Sequence, residues 1–195
     1  MKKALIIFVR NPVLGKVKTR LARTIGDAKA LNIYIELLSH TISITSYILC
    51  DKFVYYSDFI DVSDGWDNRI FEKRLQEGHD LGLRMKHAFN ELLHSGYDQV
   101  LIIGSDCYQL TPSIIECGFA KLQDADAVMG PSEDGGYYLL GLKNMHEKIF
   151  ENKSWSTENV SSDTINDLKT AGLSYSLLIP LKDIDVEADL QWMKH

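Results

Sequence analysis

The residues best suited to chemistry begin with an apolar run, Val100-Leu-Ile-Ile103, that ends in Gly104-Ser105-Asp106 and so carries one carboxylate to the end of a buried strand. In open parallel sheets ligands bind beyond the carboxyl edge, where an Asp is a natural ligand for a magnesium ion bridging a diphosphate. Gly104 allows a sharp turn there, and Gly104 and Ser105 are candidate phosphate contacts beside it. The structural alternative is that Asp106 caps a helix starting near Pro112. A second constellation follows the first apolar strand: Arg10, then Lys16, Lys18 and Arg20 beside Gly15. If the two strands are parallel, both loops leave one edge, and the cations face Asp106 across a phosphate-sized gap. Cations at a helix start oppose the helix dipole by about 0.3–1 kcal/mol each, a cost that a bound anion would relieve. Gly15-Lys16 is not a P-loop, because Val17 follows and the upstream glycine is absent.

Three further groups qualify. Glu133-Asp134-Gly135-Gly136 is either a tight hairpin turn or an acceptor site, with Asp134 as a base and Gly135 and Gly136 admitting a ligand closely. Asp183 and Asp185 project on the same face of an extended segment, and either could be a second magnesium ligand or a cap for the last helix. Trp155-Ser156-Thr157 reads as an anchor with a helix cap, Trp155 being also a candidate acceptor contact. Cys107 adjoins Asp106 with no base identifiable beside it, and the six histidines lack zinc spacing.

The elements that must position these groups alternate. Apolar runs predict strands over 4–9, 52–57, 70–75, 100–103, 127–130, 137–142 and 173–180. Helical spacing covers 20–45, with Leu31, Ile35 and Leu38 on one face and a break at Gly26, and recurs over 79–95, 112–123, 157–171 and from 186. The connection into 137–142 is too short for a crossover helix, so that strand is expected to run antiparallel. The whole predicts a three-layer α/β fold with a mostly parallel sheet, as a single domain over 1–195. Its 45% hydrophobic content is enough for one sizeable core. A net charge of -6 argues against nucleic-acid or membrane partners. Three cysteines without a Cys-x-x-Cys pair predict a reduced, cytoplasmic setting.

Together, Phe8-Val-Arg-Asn-Pro12, Gly15-Lys-Val-Lys-Thr-Arg-Leu-Ala22, Asp80-Leu-Gly-Leu-Arg-Met85, Ile103-Gly-Ser-Asp-Cys107, Gly130-Pro-Ser-Glu-Asp-Gly-Gly-Tyr-Tyr-Leu-Leu-Gly141, Trp155-Ser-Thr157 and Asp183-Ile-Asp185 resemble the radical-SAM/selenodomain-associated transferases. These are small proteins of glycosyltransferase-A type, some linked to arsenosugar biosynthesis, and the resemblance spans nearly the whole chain. Lys16 to Ala22 and Asp183 to Leu190 are also similar to 2-phospho-L-lactate guanylyltransferase. Tyr108, Val186 and Ala188 depart from the usual proline, threonine and proline. The resemblance implies a nucleotide-diphospho-sugar transferase sheet with Asp106 and Asp185 on Mg2+ or Mn2+. A metal-dependent glycosyltransferase is expected, moving a sugar from a nucleotide sugar to a small-molecule acceptor. The alternatives are a nucleotidyltransferase that takes a nucleoside triphosphate and releases pyrophosphate, and a non-catalytic nucleotide-binding protein. A homodimer is the default oligomer.

Overall fold

The computed structural model describes residues 1–155 and 157–193. Seven strands form one sheet in the order β3-β2-β1-β4-β6-β5-β7. In chain order they are β1 (Lys3–Val9), β2 (Asp51–Tyr56), β3 (Phe71–Leu75), β4 (Gln99–Ile103), β5 (Ala127–Pro131), β6 (Tyr137–Leu142) and β7 (Tyr175–Leu177). The helices are α1 (Thr19–Ile25), α2 (Asp27–Thr45), α3 (Leu81–His94), α4 (Pro112–Asp124) and α5 (Val160–Thr170). β6 runs antiparallel to both β4 and β5, and the other strand pairs are parallel. Apolar residues fill both faces: α2 and α4 cover one, while α3, α5 and the 3-10 turn Glu147–Phe150 cover the other. This is why β4 is buried at all five positions and reads as an unbroken apolar run.

The topology decides where the loops go. From β1 the chain moves outward to β2 and β3, then returns to the other side of β1 as β4, so β1 and β4 flank the point where strand order reverses. Their register, Ile7 opposite Ile103, brings Arg10 and Gly104 out at one rim. Because β6 is antiparallel, its start at Tyr137 meets the same rim, and Gly104 N–H donates to the Tyr138 carbonyl (3.4 Å). The segment after β7 returns there too, with Leu181 N–H on the Pro131 carbonyl and Ile184 N–H on the Asp106 carbonyl (2.9 Å). Four loops distant in sequence therefore share one edge.

Several local expectations change. Of the predicted face of α2, Leu31 and Leu38 are partly buried against the core and Ile35 is exposed, while the fully buried stripe is Ala30, Tyr34, Leu37, Thr41, Ile44 and Thr45, which includes a tyrosine and two threonines. Helix α5 starts at Val160 rather than 157, and Thr157 is not its cap, since its hydroxyl donates to the Ser154 carbonyl. Ser156 lies outside the described residues. β7 is shorter than 173–180 because the chain bends away at Leu178 to reach the rim. The last segment is a 3-10 helix, Glu187–Met193, capped by Asp189, whose carboxylate accepts from the Asp185 and Val186 amides. Thr111, not Asp106, caps α4, which frees Asp106 from the structural alternative.

Candidate functional site

Asp106 meets the first loop directly. Lys18 Nζ lies 3.0 Å from Asp106 Oδ2 and donates to the Ile184 carbonyl at 2.6 Å. The Lys18 side chain is only 5% exposed while Asp106 remains 48% exposed, so the cation is enclosed and the carboxylate faces the cleft. Lys18 adopts a left-handed backbone, φ 48 and ψ 43, a conformation costly for a side chain other than glycine or asparagine. α1 has seven residues, and the ion pair accounts for the position of Lys18 better than a helix dipole does. Arg20 Nη1 pairs with Asp185 Oδ2 at 2.7 Å. Among the described residues no carboxylate pairs with Arg10 or Lys16, which line the cleft with their charge uncommitted.

The acids divide differently from the sequence expectation. Asp185 is engaged by Arg20, and Asp183 is the carboxyl that stands in the field of Asp106. Burial, then the charges of Asp106 and Asp134, push the Asp183 pKa up to about 7, with Lys18 pulling against them. Burial and the nearby Asp183 raise the Cys107 thiol to about 12, so it is protonated and no nucleophile. Among the described residues no three His, Cys, Asp or Glu side chains make a ready metal cage. Magnesium, however, is commonly held by one or two carboxylates plus substrate phosphates, and the half-exposed Asp106 beside Asp183 is a donor set of that kind.

Two clefts share this wall. The first, about 990 Å3, runs from Arg10 and Lys16 past Gly104 to Ser57, Asp58 and Arg84. Here Gly104 has an ordinary φ, and a Cβ would meet nothing, so the opening beside it is cleft space. Ser105 is buried, its hydroxyl 3.2 Å from that of Tyr34, which removes it from the free phosphate donors. The second cleft, about 770 Å3, is bounded by Arg20, Asp134, Gly136, Trp155, Glu158 and Asp185. Arg10, Asp106, Tyr137, Trp155 and Asp183 line both.

The acidic turn serves both structure and cleft. Asp134 Oδ1 accepts from Ser132 Oγ (2.7 Å) and Gly136 N–H (3.0 Å), which leaves Oδ2 for the cleft. Gly135 has a packing role: its φ is +88, and a Cβ would collide with the Glu158 backbone, on which the turn is packed. Likewise a Cβ on Gly82 would strike the Trp155 indole, so that glycine seats the tryptophan against α3. The rest of that motif is positional as well. Asp80 caps α3 by accepting from Leu83 N–H (2.8 Å), and Arg84 donates to the Gly78 carbonyl and to Gln76.

Two positioning residues escape a reading of the sequence. The Tyr34 hydroxyl accepts from Arg10 N–H (2.8 Å) and lies 3.2 Å from both the Arg10 carbonyl and Ser105 Oγ, tying α2 to both rim loops. Buried Asn11 binds the Phe59 carbonyl and the amides of Asp58 and Phe59. A tyrosine inside a buried helical stripe was the available signal for Tyr34. Asn11 carried none.

A family model described as an uncharacterized protein conserved in bacteria, DUF2064, matches residues 42–157, more than half of the chain. The chain belongs to the DUF2064 family. No curated protein matches it. Among solved structures, this DUF2064 chain resembles a candidate nucleotide-diphospho-sugar transferase from Desulfovibrio desulfuricans G20, with 28% identity and a TM-score of 0.90 over 98% of this chain and 87% of that one. Lower identities show the shared fold. The inositol-1-phosphate CTP transferase from T. maritima is 13% identical, with a TM-score of 0.56 over 97% of this chain and 91% of that one. Rv0371c of Mycobacterium tuberculosis H37Rv, solved with manganese, is 8% identical, with a TM-score of 0.60 over 99% and 98%. The DUF2064 chain thus has the α/β fold of nucleotide-diphospho-sugar transferase structures. Among its described residues no helix is long and apolar enough to cross a membrane.

Proposed function

We propose that this chain is a divalent-metal-dependent glycosyltransferase acting on a nucleotide-sugar donor. The observation that carries the reading is the meeting of Asp106 with the first-loop cations at the switch point between β1 and β4. Arg10 and Lys16, with no carboxylate partner among the described residues, take the diphosphate in the first cleft. Asp106 and Asp183 hold Mg2+ or Mn2+, with Asp185 held back by Arg20 at the edge of the second cleft. When bound, the ion offsets charge developing on the leaving diphosphate. The acceptor hydroxyl oxygen bonds to the anomeric carbon while the bond from that carbon to the diphosphate oxygen breaks. The electron pair leaves with the nucleoside diphosphate, and the hydroxyl proton passes to Asp134. Trp155 and Gly136 border the acceptor.

The likeness to the Desulfovibrio protein and to a manganese-bound structure supports this reading. The resemblance to radical-SAM-associated transferases points the same way and adds the arsenosugar type as the finer assignment. Three unpaired cysteines accord with the cytoplasm. A second reading, favoured by the likeness to a CTP transferase, has an acceptor phosphate attack the α-phosphate of a nucleoside triphosphate, with pyrophosphate leaving. A thermal-shift screen of nucleotides and nucleotide sugars with and without Mg2+ tests the site, and release of nucleoside diphosphate against pyrophosphate separates the reactions. Arg10→Ala and Lys16→Ala are expected to lower nucleotide affinity about tenfold each. If no nucleotide shifts the parent protein, the reading fails.

A further inference from the structure

The end of the first cleft away from Asp106 is built by the turn after β2, where Ser57, Asp58 and Phe59 line the wall. Two strand spacings, about 10 Å, separate the ends of β2 and β4, with β1 between them. Buried Asn11 fixes that turn: its side chain donates to the Phe59 carbonyl (2.8 Å) and accepts from the Asp58 and Phe59 amides (3.1 and 3.3 Å). An asparagine that spends both ends of its amide on one turn holds in place what the turn presents, here a carboxylate and a ring. Phe59 and Val13 are 50% and 43% exposed at the cleft wall, apolar surface suited to the flat face of a base. The acids of this cleft differ in what they already hold. Asp106 has Lys18, and Asp183 stands in the field of that pair. Asp80 caps α3 through Oδ1 and has His79 at 3.4 Å from Oδ2. Among the described residues the Asp58 carboxylate accepts only from the Ser57 hydroxyl, with no Lys or Arg on it. Gln76 is spent on the Val9 and Tyr55 carbonyls and on Arg84. Asp58 is therefore the side-chain acceptor left to meet a ligand at this end.

An ionised carboxylate only accepts, and its two oxygens can take two parallel N–H groups in charge-assisted hydrogen bonds. Guanine offers that pair on its Watson–Crick edge, N1–H beside the 2-amino group. Uracil has a single N3–H between two carbonyls, while adenine and cytosine set their amino group beside an acceptor ring nitrogen. Each of those three turns a lone pair toward one carboxylate oxygen, and such repulsion discriminates as surely as attraction does. Resting on the reading above, we infer that the first cleft selects guanine, with Phe59 and Val13 against the ring and Asp58 on N1–H and the 2-amino group.

This deepens the proposed function without depending on which bond is made, since a nucleotide sugar and a nucleoside triphosphate present the same base. Calorimetry on the full chain in Mg2+, with GDP, IDP, ADP, CDP and UDP as probes, tests the inference. IDP is GDP without the 2-amino group, so the pair isolates the second hydrogen bond. GDP is expected to bind about tenfold more tightly than IDP and than the other three, and Asp58→Asn to bring GDP and IDP within about twofold of each other. Asp58 is exposed, so its substitution leaves the core intact, and the parent's ratio is a test in its own right. Equal affinity of the parent for GDP and IDP, a preference for another base, or a GDP preference untouched in Asp58→Asn overturns the inference. Failure of all five nucleotides to bind counts instead against the reading of the site, so the two failures are distinguishable.

Discussion

Lys18 Nζ bridges Asp106 Oδ2, at 3.0 Å, and the Ile184 carbonyl, at 2.6 Å, so one enclosed ammonium ties the first loop to the turn after β4 and to the segment joining Asp183 and Asp185. It pulls against the charges that Asp106 and Asp134 exert on Asp183, and it holds its place despite a left-handed backbone. Lys18→Met is expected to cost about 1–3 kcal/mol in chelator, less than a fully buried pair because Asp106 is half-exposed. Mg2+ should restore much of that loss by replacing the missing charge. Thermal denaturation of the variant in chelator and in Mg2+ gives the comparison; a loss indifferent to the ion would remove Asp106 and Asp183 from the metal site.

Tyr34 lets positioning be tested apart from ligand contact. Tyr34→Phe keeps the packed ring but leaves the Arg10 amide and Ser105 hydroxyl without their partner. The expected penalty is about 1–3 kcal/mol, the cost of stranding buried polar groups. Nucleotide affinity should fall as well, since Arg10 loses its backbone anchor. Urea denaturation and nucleotide titration measure the two effects separately.

The rim glycines should respond in opposite ways. Gly104→Ala places a methyl in open cleft and is expected to change stability by under about 0.5 kcal/mol while weakening nucleotide binding. Gly135→Ala combines a positive φ with collision against the Glu158 backbone and is expected to cost about 2 kcal/mol or more. A stable Gly135→Ala with reduced acceptor affinity would return Gly135 to the acceptor site.

The sheet was legible because both of its faces are covered: 4–9 and 100–103 read as apolar runs, and the short link before 137–142 announced the antiparallel strand. Asp106 and the first-loop cations followed from that, since two parallel neighbours must deliver their loops to one edge. What pairs with what was not legible. Nothing in spacing distinguishes Asp183 from Asp185, because the choice depends on how the 178–185 segment bends back to bond Pro131 and Asp106. Nor does sequence show that Gly135 and Gly82 are used against Glu158 and Trp155, contacts that exist only after α3 and α5 have docked. The apolar count on α2 found Leu31 and Leu38 but missed the centre of the buried stripe for a related reason: Tyr34 satisfies its hydroxyl on two distant loops, and a periodicity counted in aliphatic residues overlooks it.

Asp183 gives the fold a pH dependence of definite sign. Its carboxyl has an ordinary pKa of 3.8 and is pushed up to about 7 by burial and by the charges of Asp106 and Asp134. Between those values the folded chain keeps a proton that the unfolded chain has released, so unfolding free energy falls as pH rises. The contribution is complete below the unfolded value and is lost through about pH 7, for a total of at most about 4 kcal/mol. Urea midpoints across this range, in chelator, should therefore drop faster for the parent than for Asp183→Asn, which has no proton to lose at that position. Mg2+ above pH 7 should narrow the difference in the parent, because an ion on Asp106 and Asp183 favours the ionised form. Parallel pH profiles for the two proteins would show that Asp183 does not carry the buried charge, and the pairing of Asp106 with Asp183 as a metal site would fall with it.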